Sequence, residues 1–443
     1  MSTDTFEAEA SAFRSAPVDE TSRARLAEGG LDYRLVGVAS DDYAQWLQVV
    51  ARGFLGPEHT DEQAAAIRER SGYRRTTGVY DPSAPMSDAP VGTIASWLAE
   101  LTVPAGSTVA SAAITAVTVA PTHRRRGMAR AMLEGELRTA AALGVPIAML
   151  TVSESTLYGR YGFAPAAAAA TWRIDVKRAS WIGPTAPGRV DFVTRETARQ
   201  LLEQLHDRVR VSDAGEIDLD PAWWDSFTGT RPDAQHAGGK RAVRYADVDG
   251  EVRGVAVYSV RENDDDFTKA TVTLSYLAAE TDEAYAALWR FFIELDLVGE
   301  VRADLLSVAE PLLWMISDQR AVAVTVTDHQ YVRILDVPVA LEARAYGGPG
   351  RLALEVTDPL GFAQGRWLLT VDDAGRGTVS SLSGEASPDA VEVSLGVEEL
   401  SAVYLGGVSL ATLAAAGRVR STDVAVAARV FGWHVPPRLS VWY

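Results

Sequence analysis

The sequence predicts a mixed α/β fold that occurs in two similar copies and is followed by a smaller α+β domain. The chain has 443 residues, which exceeds the roughly 250 to 300 residues at which one hydrophobic core stops growing, so several domains are expected. Segments with helical and strand periodicity alternate over most of the chain, and their order repeats once. The last part carries closely spaced strands instead.

The first copy is assigned to residues 31–185. Helices are predicted after Asp41 or Asp42 and over 126–144, where Gly144 and Pro146 mark the end, with a further short helix from Glu154. Strands are predicted within residues 89–104, 107–121, 147–153 and 170–176. This order predicts a mixed sheet. A segment rich in proline and glycine, residues 177–189, separates the first copy from the second.

The second copy is assigned to residues 186–336 and repeats the order of helix, strands and helix. Its strands are predicted within residues 241–248, 254–262 and 269–280, and its second helix within 282–296. Glu280, Asp282 and Glu283 stand where the first copy carries arginines. Carboxylates there would repel a phosphate, so the second copy is predicted to keep the fold without the anion site.

The two ends of the chain have different patterns. Residues 337–443 contain turns such as Asp-Asp-Ala-Gly between short strands, which predicts an α+β domain with an antiparallel sheet. Residues 1–30 have neither a basic start nor an apolar core, so they are interpreted as a polar, partly disordered leader and not as a signal peptide.

Composition excludes several functional classes. No segment approaches the roughly 20 apolar residues of a membrane span, so we expect a soluble, cytoplasmic protein with no membrane partner. The absence of cysteine and the six scattered histidines predict that no metal is bound. A net charge of −17 disfavours nucleic acid and would attract cationic ligands.

A basic turn in the first copy is the clearest candidate site. Arg124, Arg125 and Arg126 lie between a strand that ends at Val119 and a helix that starts near Gly127. Backbone N–H groups at such a helix start stabilise an anion, and arginines add donors suited to phosphate. The spacing Arg-x-x-Gly-x-Ala, ending at Ala129, resembles the pyrophosphate loop of GNAT acetyltransferases. The alternative is a solvated basic turn.

A second motif lies downstream in the same copy. Tyr158 precedes Gly162 and Phe163 by the spacing Tyr-x-x-x-Gly-Phe. This resembles the GNAT segment whose tyrosine hydroxyl faces the thioester sulfur and can protonate the departing thiolate. The alternative is a packed aromatic residue whose hydroxyl is satisfied locally.

A more specific resemblance, to one family of GNAT enzymes, covers nearly the whole chain after the leader. The segments 117–133, 157–165, 53–58 and 403–419 are similar to segments of the Eis (enhanced intracellular survival) acetyltransferases of actinobacteria. The resemblance implies tandem GNAT acyltransferase folds with mixed sheets, the second unable to bind the cofactor, followed by an α+β domain like sterol carrier protein. It also implies a homo-hexamer that acetylates several amines of aminoglycosides, a route to antibiotic resistance, and other cationic amines including lysine side chains.

The same resemblance assigns roles to individual residues. It implies Tyr158 as general acid and the α-carboxylate of the last residue, Tyr443, as base. Acetyl-coenzyme A is expected against Val117, Thr118, Val119, Arg124, Arg125, Arg126, Gly127, Met128, Ala129, Arg130, Ser153 and Glu154. The walls of the acceptor pocket are expected to include Phe54, Glu58 and the pair Trp223 and Trp224; for the two tryptophans a core position is at least an equal alternative.

The sequence departs from the best-known members near the acceptor. Gly53 replaces an aspartate before Phe54, and Trp442 replaces an acidic penultimate residue. Both changes remove negative charge from the acceptor side. The resemblance therefore does not predict which aminoglycosides this chain accepts or which of their amines it acetylates.

The absence of cysteine favours direct acetyl transfer without an acyl-enzyme. The alternatives are a protein-lysine or polyamine acetyltransferase and, in another class, a non-catalytic protein that binds coenzyme A or a lipid.

Overall fold

The computed structural model describes residues 3–231, 234 and 237–443. Residues 1–30 were expected to be a partly disordered leader, and that expectation is wrong for residues 3–30. They form helices α1 (Thr3–Ser15) and α2 (Glu20–Glu28). Phe13 and Leu26 are buried in the core of the first copy, and each such side chain contributes about 1.5–3 kcal/mol through burial.

The first copy contains three helices and six strands after these two. Helix α5 covers one face of the sheet. The short helix expected from Glu154 is instead a turn followed by one 3₁₀ turn, Gly159–Tyr161. The elements are β1 (Asp32–Leu35), α3 (Asp42–Gly53), α4 (Asp61–Arg70), β2 (Arg75–Tyr80), β3 (Gly92–Thr102), β4 (Thr108–Val119), α5 (Met128–Ala142), β5 (Ile147–Thr151) and β6 (Ala164–Asp175).

The second copy has the predicted order of helix, strands and helix. Two further strands follow its last helix. The elements are β7 (Arg189–Val193), α6 (Arg195–Val209), α7 (Ala222–Thr228), β8 (Lys240–Ala246), β9 (Val252–Arg261), β10 (Ala270–Ala279), α8 (Asp282–Ile293), β11 (Val298–Leu306) and β12 (Val322–Ile334).

The two copies share one sheet of 12 strands. Strand β12, from the second copy, lies between β5 and β6 of the first and pairs antiparallel with both. Strand β6 in turn pairs with β11. The β-structure is therefore continuous from β1 to β7, with order β1-β2-β3-β4-β5-β12-β6-β11-β10-β9-β8-β7.

The third region is α+β, as predicted, but its sheet is not wholly antiparallel. Its five strands have the order β15-β14-β13-β16-β17, and β13 pairs parallel with β16. Along the chain, strands β14 and β15 come between these two strands. The elements are α9 (Val337–Ala343), β13 (Gly350–Thr357), β14 (Gly365–Val371), β15 (Gly377–Ser381), β16 (Val391–Gly396), α10 (Val397–Val403), α11 (Leu410–Ala415), β17 (Arg420–Ser421) and α12 (Val424–Phe431).

A buried ion pair joins the large sheet to the third region. Arg333 of β12 donates from Nη2 to both carboxylate oxygens of Asp358, at 2.8 and 2.7 Å. Its Nε donates to the carbonyl of Tyr161 at 2.8 Å. Both charged side chains are fully excluded from solvent, so the pair fixes the third region against the segment that carries Tyr158.

In the part of the chain that the structure describes, no helix combines the length and the apolar character needed to traverse a bilayer.

Candidate active site

An opening in the sheet lies between β4 and β5. The two strands pair in parallel only from Ser111–Ile114 to Ile147–Leu150. Ala116 then adopts a positive φ of 52°, and β4 continues to Val119 paired with β3 alone. The backbone groups of Val117 to Val119 that face β5 therefore have no strand partner among the described residues, and they can bind an extended ligand as a strand would.

The turn after β4 is shaped to receive an anion. Gly127 has a φ of 78°, which an L-residue with a side chain adopts only at a cost, and it directly precedes α5. The first N–H groups of α5, from Met128, Ala129 and Arg130, have no helical acceptor and stabilise negative charge. The side chain of Met128 is buried in the core, so Met128 can offer only its backbone to a ligand.

The arginines of this turn do not act alike. Arg124 and Arg125 are exposed and make no hydrogen bond or ion pair with another described residue. Arg130 pairs with Glu134 at 2.6 Å. Arg126 was predicted to bind cofactor, but its guanidinium donates to Asp81 at 3.0 Å and to the Gly29 carbonyl at 2.9 Å. Its side chain therefore anchors the turn to the end of α2 and to the loop after β2.

The N-terminal helices supply a cation that the sequence analysis missed. Helix α2 packs on α5, where Ser22 donates to the Ala131 carbonyl at 2.6 Å. This brings the exposed Arg25 to the turn: an ideal Cβ placed on Gly127 would lie 3.8 Å from its Nη2. Residues 1–30 were interpreted as a leader, and Arg25 is about a hundred residues away from the turn along the chain. No local sequence pattern therefore connects Arg25 with the turn.

Tyr158 lies in the turn that follows β5, on the other side of the opening. Its ring is half-buried and packs edge-on against Phe163, with centroids 6.2 Å apart. Its hydroxyl has no hydrogen-bond partner among the described residues. Burial, followed by the charge of Glu154, raises the pKa of Tyr158 above its ordinary value of 10.0. The phenol thus stays protonated at neutral pH, while Ser153 and Glu154 are exposed at the rim.

The last residue of the chain reaches the same opening. The backbone N–H of Tyr443 donates to Oγ1 of Thr151 at 3.2 Å, and that hydroxyl donates in turn to the carboxyl oxygen of Tyr443. Thr151 is the final residue of β5. The terminal carboxylate is therefore bonded to the last residue of β5, and Tyr158 lies in the turn that follows the same strand. Thr151 was not among the predicted site residues, because it lies within the strand predicted over 147–153 and its contact with Tyr443 spans 292 residues of the chain.

The side chain of Tyr443 is anchored separately from its carboxylate. Its ring packs edge-on against Trp97, with centroids 5.0 Å apart. Its hydroxyl is buried and has no hydrogen-bond partner in the described chain. The ring therefore fixes the end of the chain by packing.

Residues of the second copy hold the tail that leads to Tyr443. The N–H of Arg438 donates to the Ala214 carbonyl at 2.8 Å, and Ser440 donates to Glu216 at 2.9 Å. From β12, His329 donates to the Val441 carbonyl at 2.9 Å. Burial outweighs the nearby Arg438 guanidinium and raises the pKa of Glu216 to about 7. The second copy thus positions the terminus beside the opening in the first.

A cavity of about 300 Å³ adjoins the opening. It lies between helices α3 and α4 of the first copy and α7 of the second, and Ala116 forms part of its wall. Its lining is aromatic and cationic. The lining residues are Tyr43, Trp46, Leu47, Val50, His59, Ile67, Arg70, Ser71, Tyr73, Arg74, Ala116, Ala222, Trp223, Ser226 and Arg231.

Of the predicted pocket walls, only Trp223 is among the residues that line this cavity. Trp224 is 1% exposed and packs against His206 and Tyr276, with ring centroids 5.1 and 5.5 Å away, so the core alternative is correct for it. Phe54 and Glu58 are exposed on the turn after α3 and do not contribute to the lining.

Position 53 requires a glycine because its backbone lies very close to the side chain of Thr118. A Cβ on Gly53 would lie 2.6 Å from Cγ2 of Thr118, which is buried and hydrogen-bonded to Thr93 at 2.7 Å. The aspartate expected at this position from the resemblance does not fit against a threonine in this strand. The change at Gly53 is therefore coupled to β4 itself.

Comparisons with known proteins agree with this geometry. Residues 34–166 and 215–334 each match a family model described as acetyltransferase (GNAT) domain. Residues 337–440 match a sterol carrier protein domain. An uncharacterized N-acetyltransferase of Streptomyces avermitilis is 36% identical over 394 residues, covering 86% of this chain and 91% of the relative. The N-acetyltransferase Eis of Mycobacterium tuberculosis is 32% identical over 383 residues, covering 84% and 88%.

This chain belongs to the Eis family of GNAT N-acetyltransferases. The crystal structure of Eis1 from Mycobacterium abscessus matches with a TM-score of 0.76 at 27% identity, over 93% of this chain and all of that one. A GCN5-related N-acetyltransferase from Anabaena variabilis has the same fold, with a TM-score of 0.77 at 19% identity over 93% of this chain. The protein is therefore an acyltransferase, and its co-substrate is acetyl-coenzyme A.

The residues present fit that co-substrate. The unpaired edge of β4 suits an extended pantetheine chain, which carries amide groups, and the turn at Gly127 suits a diphosphate. Arg124 and Arg125 leave their guanidinium groups available for phosphate oxygens.

Proposed function

We propose that the chain transfers an acetyl group directly to a primary amine held in the 300 Å³ cavity, with Tyr158 as general acid and the Tyr443 carboxylate as base. The observation that carries the proposal is the convergence of these two groups on the end of β5. Tyr158 follows that strand along the chain, and Tyr443 is hydrogen-bonded to Thr151, its last residue.

On the donor side, the chain's task is to bind and orient. Val117, Thr118 and Val119 offer backbone groups, and the turn from Arg124 to Arg130, with Arg25, offers charge and N–H groups for phosphate. Acetyl-coenzyme A supplies the activated acetyl thioester. A backbone N–H of the unpaired β4 edge can stabilise negative charge on the carbonyl oxygen under attack.

The two proton transfers are assigned to two different groups at the end of β5. Tyr158 carries its proton at neutral pH because its pKa is raised by burial, so it can donate to a departing thiolate. The Tyr443 carboxylate accepts the proton that the amine loses, directly or through a water. An α-carboxyl group has an ordinary pKa of ~3.3–3.7, so it acts best on an amine that is already partly neutral.

The acceptor class stays a prediction. Relatives that carry the name Eis are the support for aminoglycosides and for acetylation at several amines. The described lining of the cavity does not favour them, since it includes Arg74 and contains no aspartate or glutamate that could hold a cationic amine. A protein lysine or polyamine acceptor meets the same objection.

Thiol release from acetyl-coenzyme A tests the proposal. The chain has no cysteine, so a thiol reagent detects only released coenzyme A. Kanamycin, spermidine and small primary amines serve as acceptors for the wild type and for Tyr158→Phe. We expect release with at least one amine and a loss of kcat of roughly 10²- to 10⁴-fold in the variant, with unchanged affinity for acetyl-coenzyme A. Binding without release for every amine would favour the non-catalytic alternative.

The homo-hexamer implied by the resemblance also stays a prediction. Light scattering checks it, because a molar mass near the 47.5 kDa of one chain would contradict it.

A further inference from the structure

We propose that the cavity selects an acceptor that carries, besides its amine, a carboxylate and an aromatic ring, as aromatic amino acids do. The inference rests on the proposed acetyl transfer and names the substrate class of that same site. It comes from what lines the cavity.

The cavity is placed to present an amine to the acetyl group. Ala116, the residue with positive φ where β4 leaves β5, forms part of its wall. Arg74, which lines the cavity, and Tyr443 both contact Trp97, with the guanidinium carbon 5.0 Å and the tyrosine ring 5.0 Å from that ring. The cavity therefore adjoins the strand edge at Ala116, and Trp97 connects its lining with the last residue.

Aromatic rings provide the apolar walls. Tyr43 and Trp46 on α3 stack nearly parallel, with centroids 5.7 Å apart and planes 9° apart. Tyr73 and Trp223 line the cavity from the chain after α4 and from α7. Tyr43 and Trp46 are buried, whereas Tyr73 and Trp223 are only partly buried. A flat ring placed against Tyr73 or Trp223 gains stacking contacts in addition to apolar burial, which an aminoglycoside, built from hydroxylated rings, does not.

Arg74 provides the charge that would meet a carboxylate. It is half-buried, and its Nε donates to the hydroxyl of Tyr73 at 3.0 Å. Its two Nη groups make no hydrogen bond with a described residue, and it has no ion pair within the described chain. A planar guanidinium with two unused donors, held over an aromatic face, suits bidentate recognition of a carboxylate.

Asp220 does not neutralise this arginine by contact. It interacts with Arg74 through charge alone, and its Oδ1 accepts the N–H of Ala222 at 3.0 Å. Asp220 does not line the cavity, whereas Arg74 does. The charge of Arg74 also disfavours the protonated form of an amine bound beside it, which favours the neutral amine that the weak terminal base requires.

Matched acceptors isolate the carboxylate. Tryptophan and tryptamine share a ring and a primary amine, as do phenylalanine and phenethylamine, and each pair differs in the carboxylate. We compare kcat/KM by thiol release at equal concentrations of neutral amine, for the wild type, Arg74→Gln and the control Arg68→Gln. Arg68 lies on α4 outside the lining of the cavity. Binding of N-acetyltryptophan is titrated calorimetrically in the presence of coenzyme A.

The wild type is expected to prefer each amino acid over its decarboxylated partner by roughly tenfold to a hundredfold, the effect of a charge-assisted hydrogen bond. Arg74→Gln should bring that ratio close to one, and Arg68→Gln should leave it unchanged. N-acetyltryptophan should bind the wild type more tightly than Arg74→Gln.

Other outcomes overturn the inference or the function separately. Turnover of kanamycin or spermidine with no turnover or binding of the amino carboxylates overturns the inference and keeps the acetyl transfer. A preference that survives in Arg74→Gln removes Arg74 as its cause and overturns the inference as stated. Binding of N-acetyltryptophan that depends on Arg74, without acetylation of any amine, keeps the specificity of the cavity and overturns the proposed function.

Discussion

Adding one glycine after Tyr443 is expected to lower kcat by roughly 10²- to 10⁴-fold, the range typical of a general base. The carboxyl oxygen of Tyr443 now accepts the hydroxyl proton of Thr151. An extra residue moves the carboxylate by about 3.8 Å, the spacing of consecutive Cα atoms, which exceeds a hydrogen-bond length of about 2.7–3.2 Å. At 1.36 kcal/mol for each factor of ten, the expected loss is about 2.7–5.4 kcal/mol of transition-state stabilisation.

The assay is thiol release at saturating acetyl-coenzyme A, with the best acceptor amine found. Tyr443→Phe is the matched control, because it keeps the carboxylate and the ring that packs on Trp97 and removes a buried hydroxyl without a partner. That variant should keep wild-type kcat and be at least as stable, since an unsatisfied buried hydroxyl costs about 1–3 kcal/mol. Wild-type kcat in the extended chain would refute the role of the carboxylate.

Three further predictions concern the structure around the site. Arg333→Met should lower the free energy of unfolding by about 3–5 kcal/mol in urea titrations, because it leaves the buried carboxylate of Asp358 without its cation; a loss below 1 kcal/mol would contradict this. Arg25→Ala should raise the Kd of coenzyme A several-fold, and more at low than at high salt, whereas Arg23→Ala on the same helix should not. Glu216 has a pKa raised from 4.5 to about 7, so its folded form retains a proton that the unfolded chain loses. Its stabilising contribution is complete below about pH 4.5 and is lost as pH rises through 7. From pH 5 to pH 8, the free energy of unfolding should therefore fall by up to about 3 kcal/mol more in the wild type than in Glu216→Gln. An equal pH dependence of the two proteins would count against the raised pKa.

Local sequence patterns predicted much of the fold and the donor side of the site. The strand that ends at Val119, the helix after Gly127 and the repeated element order all appear in the structure, because periodicity and turn residues encode them within short windows. The Tyr-x-x-x-Gly-Phe motif also identified a tyrosine whose hydroxyl has no partner in the described part of the chain and whose pKa is raised.

Partners that are distant along the chain could not be predicted in this way. Whether an arginine faces a ligand or a carboxylate depends on what packs beside it, and Asp81, which accepts from Arg126, is 45 residues away. The same holds for Trp223 and Trp224: adjacent aromatic residues in one helix have different exposure only because α7 packs against β10 and α6 on one side.

The sequence by itself determined the order of elements, the glycine-containing turn before α5 and membership of the acetyltransferase family, since each depends on residues close together or on similarity along the chain. Only the tertiary structure decided that one sheet spans both copies, that the N-terminal helices bring Arg25 to that turn, and that Arg74 and aromatic side chains line the cavity beside Ala116. It also placed Tyr443 beside Thr151, 292 residues earlier in the chain. Such contacts arise from the packing of surfaces that no local pattern specifies.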